Sequence, residues 1–259
     1  LRALRLGFAA SHLLFTGTMK RLHSLPLVIC LMIAAGTTGA LSQPVLAQTA
    51  TYLDAHQVDL SKLLAPPPAA DSARGQADMA TVLEVQRTRT PEQVERARAD
   101  VKKTVFRFAD VLGPEFNEVN LPKTAALFDA ANHDASTIAK TGKDFFSRAR
   151  PYIANPGVHP SVPLNPKDGY DSYPSGHSTF GYMTAILLAQ MVPEKRDAVF
   201  ARGREYGENR VVDGVHYPSD VEAGRIDGTL VAEALMANPT FQKAFAEARA
   251  EVRAALKLN

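Results

Sequence analysis

The sequence predicts an all-α fold, one compact helical bundle built around a buried helix that begins at Gly176. Three observations lead there. Apolar residues recur at steps of three and four along most of residues 73–259, the period of a helix face. Proline or a capping residue stands just ahead of those runs, as in Thr90-Pro91-Glu92-Gln93 and Asn238-Pro239. No stretch alternates apolar and polar residues over the length of a strand.

From the amino end, residues 1–18 read as an upstream extension outside the fold. Residues 19–47 read as a secretory signal peptide: Met19-Lys20-Arg21 is a basic start, residues 25–35 are apolar, and Val45-Leu46-Ala47 is a small-residue cleavage motif. The apolar run is shorter than the ~18 residues that a spanning helix needs. Cleavage after Ala47 would remove Arg2, Arg5, Lys20 and Arg21 and no acid, so the formal charge changes from +2 to −2. The basicity of the whole chain therefore belongs to the leader, and nothing argues for nucleic acid or an anionic membrane as a partner. Cys30, the single cysteine, also lies in the leader, which excludes disulfides, thiolate metal sites and cysteine nucleophiles from the remaining 212 residues.

Residues 48–72 are irregular and include Ala65-Pro66-Pro67-Pro68-Ala69-Ala70, a polyproline-type segment expected to be an arm on the surface. The helical domain is expected to occupy residues 73–259. Its first helix spans about 72–86. The second opens at the capping box Thr90–Gln93, carries the stripe Val94, Ala97, Val101, Val105, Phe108 and Leu112, and ends at Gly113-Pro114. A third is expected over 122–131. A fourth, capped by Asp134, runs from Ala135 to about Arg148 with Ile138, Gly142, Phe145 and Ala149 inward. Lys143 and Arg150, seven apart, would then share one face.

Residues 151–174 hold six prolines and no period, so they read as a long loop of the kind that shapes a site. At its end Pro174-Ser175-Gly176-His177 starts the central helix. Ser175 can cap, Gly176 lets a ligand approach the backbone, and free N–H groups point outward, which suits an oxyanion. The next helix projects Arg210 from an apolar stripe formed by Val199, Gly203 and Tyr206, a charge that needs an anionic partner. After Asp213-Gly214, His216-Tyr217-Pro218-Ser219-Asp220 leads into a helix whose inner face includes Gly224 and Gly228, as close packing requires. A final amphipathic helix follows Pro239.

Three groups thus stand in order: Lys143-x6-Arg150-Pro151, Pro174-Ser175-Gly176-His177 and Arg210-x5-His216-x3-Asp220. Together they resemble the signature of the type 2 phosphatidic acid phosphatase (PAP2) superfamily, and their order and spacing are similar to the bacterial class A non-specific acid phosphatases. Leu63-Leu64-Ala65-Pro66-Pro67-Pro68, residues 88–98 and residues 105–114 are similar to that class as well. The resemblance implies the PAP2-type helical bundle, a periplasmic acid phosphatase acting on small phosphate monoesters, no metal or other cofactor, and self-association.

It also implies roles. Lys143, Arg150, Ser175, Gly176 and Arg210 bind phosphate. His216 attacks phosphorus, Asp220 orients it, and His177 protonates the leaving alkoxide. From the residue types alone either histidine can be the nucleophile; the carboxylate four residues after His216 favours that one. A neutral His216 beside a protonated His177 is expected at mildly acidic pH. The chain departs from the family in having Asn209 where a serine is usual, which predicts tuning of rate and not loss. Vanadium haloperoxidases share the same anion site and are the rival that vanadate would distinguish. A non-catalytic phosphate binder would have no use for both histidines and Asp220.

Overall fold

The computed structural model describes residues 51–165 and 169–258, which belong to one compact unit. The upstream extension and signal peptide expected over 1–47 lie outside the described residues. All regular structure among the described residues is helical.

Ten α-helices follow one another: α1 (Leu60–Leu63), α2 (Ala73–Thr88), α3 (Pro91–Ala99), α4 (Ala109–Leu112), α5 (Pro122–Phe146), α6 (Pro151–Ala154), α7 (Gly176–Met191), α8 (Arg196–Val212), α9 (Pro218–Ala237) and α10 (Pro239–Ala255). As expected, α7 is the centre. It is apolar around most of its circumference, and Phe180, Met183, Leu187, Leu188 and Met191 are all buried. Helices α8 and α9 flank it, with α5 and α10 completing the main core.

Glycines set how closely these helices approach. A Cβ on Gly181 of α7 would stand 2.5 Å from the Gly203 carbonyl of α8. One on Gly224 or Gly228 of α9 would stand 2.4 Å from the carbonyl of Ser175 or Thr179. Backbone thus meets backbone, and the N-termini of α7 and α9 are locked together: the Ser175 N–H donates to the Asp220 carbonyl at 3.0 Å.

The structure corrects four expectations. The third and fourth predicted helices are one, α5, because Asp134 is not a cap. Its carboxylate is buried and accepts the N–H groups of Tyr52 (2.8 Å) and Leu53 (3.0 Å) from the preceding arm. That arm is only in part on the surface. Its polyproline stretch is largely exposed, but Leu53, Val58, Leu60 and Leu64 are buried in the main core and α1 adds a helical turn.

The helix expected from 91 to 112 breaks after Ala99. Asp100 there is fully buried and receives Arg202 at 2.5 and 2.9 Å, Arg107 at 2.9 Å and the Asn209 amide at 2.8 Å. Turning the chain to satisfy this carboxylate leaves Val101 exposed, outside the predicted stripe. Finally, α5 stops at Phe146 with Ser147 left-handed (φ 46°), so Lys143 and Arg150 do not share a helix face. Phe145 is exposed, and Phe146 packs on Tyr173 in its place (ring centroids 5.0 Å apart).

Candidate active site

The site forms where the last turn of α5, the entry to α6 and the first turns of α7 and α9 converge. Arg150 comes from the extended residue ahead of Pro151, while α8 supplies Arg210 in its last turn. His216 is buried just before α9. Proline at the start of α9 fixes that entry, and Asp220 in its first turn accepts the Tyr217 N–H at 2.8 Å.

Asp220 is the most saturated group here. One carboxylate oxygen receives Arg148 at 2.5 Å; the other receives the Ser172 hydroxyl at 2.6 Å, the Tyr217 N–H and His216 Nδ1 at 3.3 Å. Burial pushes this carboxyl upward, yet every partner is a donor, so the arrangement suits the acceptor-only ionised form. Arg148 is held in turn by Asp78 (3.0 Å) and the Ser219 hydroxyl (2.7 Å), and it lies 4.0 Å over the Tyr217 ring. Three of these residues, Arg148, Ser172 and Asp78, were not foreseen. Arg148 and Ser172 stand two residues from signature positions and were visible as neighbours. Asp78 meets Ser219 from 141 positions away, a pairing that no local pattern announces.

The tautomer of His216 follows from its partners. Its Nε2 lies 3.2 Å from Arg150 Nη1, and a guanidinium can only donate. Nε2 therefore carries the lone pair and Nδ1 carries the proton, shared with Asp220. Burial first, and then Arg150, Lys143 and Arg210, pushes the imidazole well below its ordinary pKa, so His216 stays neutral in mild acid.

His177 occupies the first turn of α7. Its Nε2 donates to the Val101 carbonyl at 3.0 Å, and its ring stacks on Tyr206. Burial, Arg210 and Lys103 push its pKa well down as well. The expected contrast between a neutral His216 and a charged His177 is therefore not set by the protein's own charges.

Cations surround this pair. Lys143 donates to the Asp171 carbonyl, and burial beside Arg150 lowers its ammonium to about 8. Lys103, unforeseen in the sequence, donates to Ser136 at 2.7 Å and burial lowers it to about 8 as well. Arg210 binds Asp213 at 2.6 Å through Nη1, while its Nε is buried with no partner among the described residues. An orphan guanidinium N–H is a donor awaiting an acceptor.

Ser175 caps α7, accepting the Ser178 N–H, and helix geometry leaves the N–H groups of Gly176 and His177 without partners four residues back. A Cβ on Gly176 would meet no protein atom, so neither packing nor backbone strain demands glycine there; it keeps the helix end open. Asn209, in the family's serine position, turns away to Asp100.

All eight sequence-predicted residues thus contribute to one region. Among the described residues no group of three His, Cys, Asp or Glu side chains is placed to hold a metal ion, and no helix is long and apolar enough to cross a membrane.

Comparison with known proteins gives the family. Residues 126–243, which contain every signature residue, match the PAP2 superfamily. The chain is 32% identical over 203 residues to a non-specific acid phosphatase of Providencia stuartii, covering 75% of this chain and 81% of that protein. It is 31% identical over 166 residues to a non-specific acid phosphatase of Salmonella typhimurium, covering 63% and 66%. A bacterial vanadium-dependent iodoperoxidase structure superposes with a TM-score of 0.48 at 17% identity, over 67% of this chain and 52% of that one. With three separated motifs gathered on the ends of five helices, and with similarity running through most of the Providencia protein, the chain belongs to the PAP2 superfamily, among the non-specific acid phosphatases.

Proposed function

We propose that the protein is an exported acid phosphatase that hydrolyses phosphate monoesters without a metal, through a phosphohistidine on His216. The observation that carries this is the fixed tautomer of His216, with its Nδ1 proton on Asp220 and its Nε2 lone pair facing Arg150. A buried imidazole held neutral, with its lone pair amid three cations, is a nucleophile aimed at an anion.

The phosphoryl group would sit against Lys143, Arg150, the orphan Nε of Arg210, Ser175 and the Gly176 N–H. Charge spreads over its equatorial oxygens in the transition state, and these donors stabilise it. His216 Nε2 forms a bond to phosphorus as the ester P–O bond breaks, and His177 gives its proton to the departing alkoxide. Asp220 balances the positive imidazole ring so formed. In the second step water attacks phosphorus, His177 takes a water proton, and the N–P bond breaks to release inorganic phosphate and restore both histidines.

Nucleotides, sugar phosphates and aryl phosphates are all substrates of the required chemistry, and other alcohols can take the place of water. The leader supports export to the periplasm, with a mature chain starting at Gln48; amino-terminal sequencing of the secreted protein checks this. The activity itself is tested by hydrolysis of an aryl phosphate in excess chelator across pH 4–9. Activity that persists and peaks below neutrality is expected. Strict dependence on an added metal would refute the mechanism.

A further inference from the structure

Arg150 is expected to bind phosphate, yet its donors are already engaged. Nε and Nη2 meet the two oxygens of Asp171 at 2.8 and 3.0 Å, a two-point carboxylate pair of the geometry that a phosphate would use. Nη1 donates to the Val215 carbonyl at 3.0 Å and to the lone pair of His216. The same residue, Asp171, reaches the second phosphate-binding cation, because its backbone carbonyl accepts the Lys143 ammonium. It is itself held by the Gly169 N–H at 3.2 Å, and the Gly169 carbonyl accepts the Arg150 N–H at 2.8 Å.

Asp171 takes no part in the chemistry above and belongs to none of the three motifs. Unlike Asp220, which binds Arg148, it binds a residue that the substrate needs. Its side chain is also more open, 36% exposed against 0% for Asp220, so it can leave for water. Burial acts to raise its pKa, but the hydrogen bonds and charge of Arg150, with Lys143, hold the carboxyl below the usual range, so it remains an anion throughout the acid working range.

The geometry points to Asp171 as an internal stand-in for phosphate: a carboxylate latch that holds Arg150 against the nucleophile until an incoming phosphate displaces it. This rests on the proposed phosphate site. When phosphate takes the Arg150 fork, two things follow together. Asp171 loses its pair, and Arg150 Nη1 is drawn off the His216 lone pair, which is then free to attack. After hydrolysis the carboxylate competes with inorganic phosphate for the same fork and speeds its departure. Asp171 thereby sets affinity for substrate and product alike, and it acts through Arg150 without touching the reacting atoms.

Asp171→Asn keeps the shape and removes the charge, so both KM and the inhibition constant of inorganic phosphate should fall, by about tenfold. If Asp171 merely props Arg150 in place, both constants rise instead, and the latch is overturned. Arg150→Ala, measured alongside, separates the latch from the site it rests on. Loss of phosphate inhibition in Arg150→Ala keeps the site; unchanged inhibition removes Arg150 from it and the latch with it.

The wild-type protein gives a test that no folding defect can obscure. Hydrogen exchange of peptides covering 169–172 should quicken when inorganic phosphate is added, because the Gly169 N–H loses its carboxylate acceptor. Slower or unchanged exchange there would overturn the latch.

Discussion

Tyr-Pro-Ser occurs twice at the site, as residues 173–175 and 217–219, and the two copies do different work. Both open a helix that packs against the other through bare glycine backbone. At α9 the first turn contains its own carboxylate, Asp220, which satisfies the helix end and is shared with His216 just outside it. At α7 the first turn has no acidic residue; Ser175, Gly176 and His177 leave the end open. One helix start is closed by an internal anion in order to orient a base. The other is the open end on which the proposed phosphate site rests. In this chain the starts of α7 and α9 are thus two solutions to the same problem of unsatisfied N–H groups, set side by side.

Breaking the closed end should cost most. Asp220→Asn removes the charge that balances His216 and leaves Arg148 without one of its two carboxylates. The expected loss of kcat is about a hundredfold or more, with KM less affected. If kcat survived within a few-fold, the closed end would be structural only.

The open end is sharpened by pH. Because Lys143 loses its proton at about 8, the cation field weakens above that pH, and kcat/KM should fall up to about tenfold per pH unit from there. On the acid side the depressed pKa of His216 keeps its lone pair, so activity should persist below the ordinary histidine range. A pH profile of kcat/KM that collapsed near 6.5 would contradict the environment described for His216.

Smaller effects are expected further from the phosphate. Asn209→Ser should change kcat less than tenfold but lower stability by about 1–3 kcal/mol, because Asp100 loses a buried donor. Denaturant unfolding separates the two quantities, and a hundredfold change in rate would place Asn209 in the chemistry instead.

Asp227, two turns beyond Asp220, has one oxygen on Thr179 and the other without a partner among the described residues, and burial raises its carboxyl to about 7. Since the folded state raises this pKa above its unfolded value, the folded protein holds a proton that the unfolded chain gives up. Stability on this account falls as pH rises from about 4 through 7. Asp227→Asn should therefore raise Tm most at pH 7.5, less at pH 5 and hardly at all at pH 3; equal shifts at all three pH values would contradict it.

The open and closed ends also differ in how far the sequence disclosed them. Pro174-Ser175-Gly176-His177 is a local instruction, and α7 starts where it says. His216 and Asp220, four apart across a helix start, are nearly as local. What supports them is not local. Asp78, on α2, and Arg148, in the link between α5 and α6, meet at the back of Asp220, and Asp100 breaks a helix whose apolar stripe was otherwise continuous. The same holds for Asp134, which reads as a cap from its neighbours and serves instead to receive Tyr52 and Leu53. Period and capping reveal where helices begin. Buried carboxylates whose donors lie far along the chain decide where they bend, merge or stop, and those pairings have no sequence period.

The most direct test of the difference between the two histidines is a rapid quench into alkaline denaturant with a phosphomonoester labelled in its phosphoryl group. Wild-type protein and His177→Ala should form a labelled phosphoenzyme, stable to base and lost in strong acid, which His177→Ala accumulates when the leaving group needs no proton. His216→Ala should form none. Label on His216→Ala, or its absence from wild type with fully active turnover, would contradict the account.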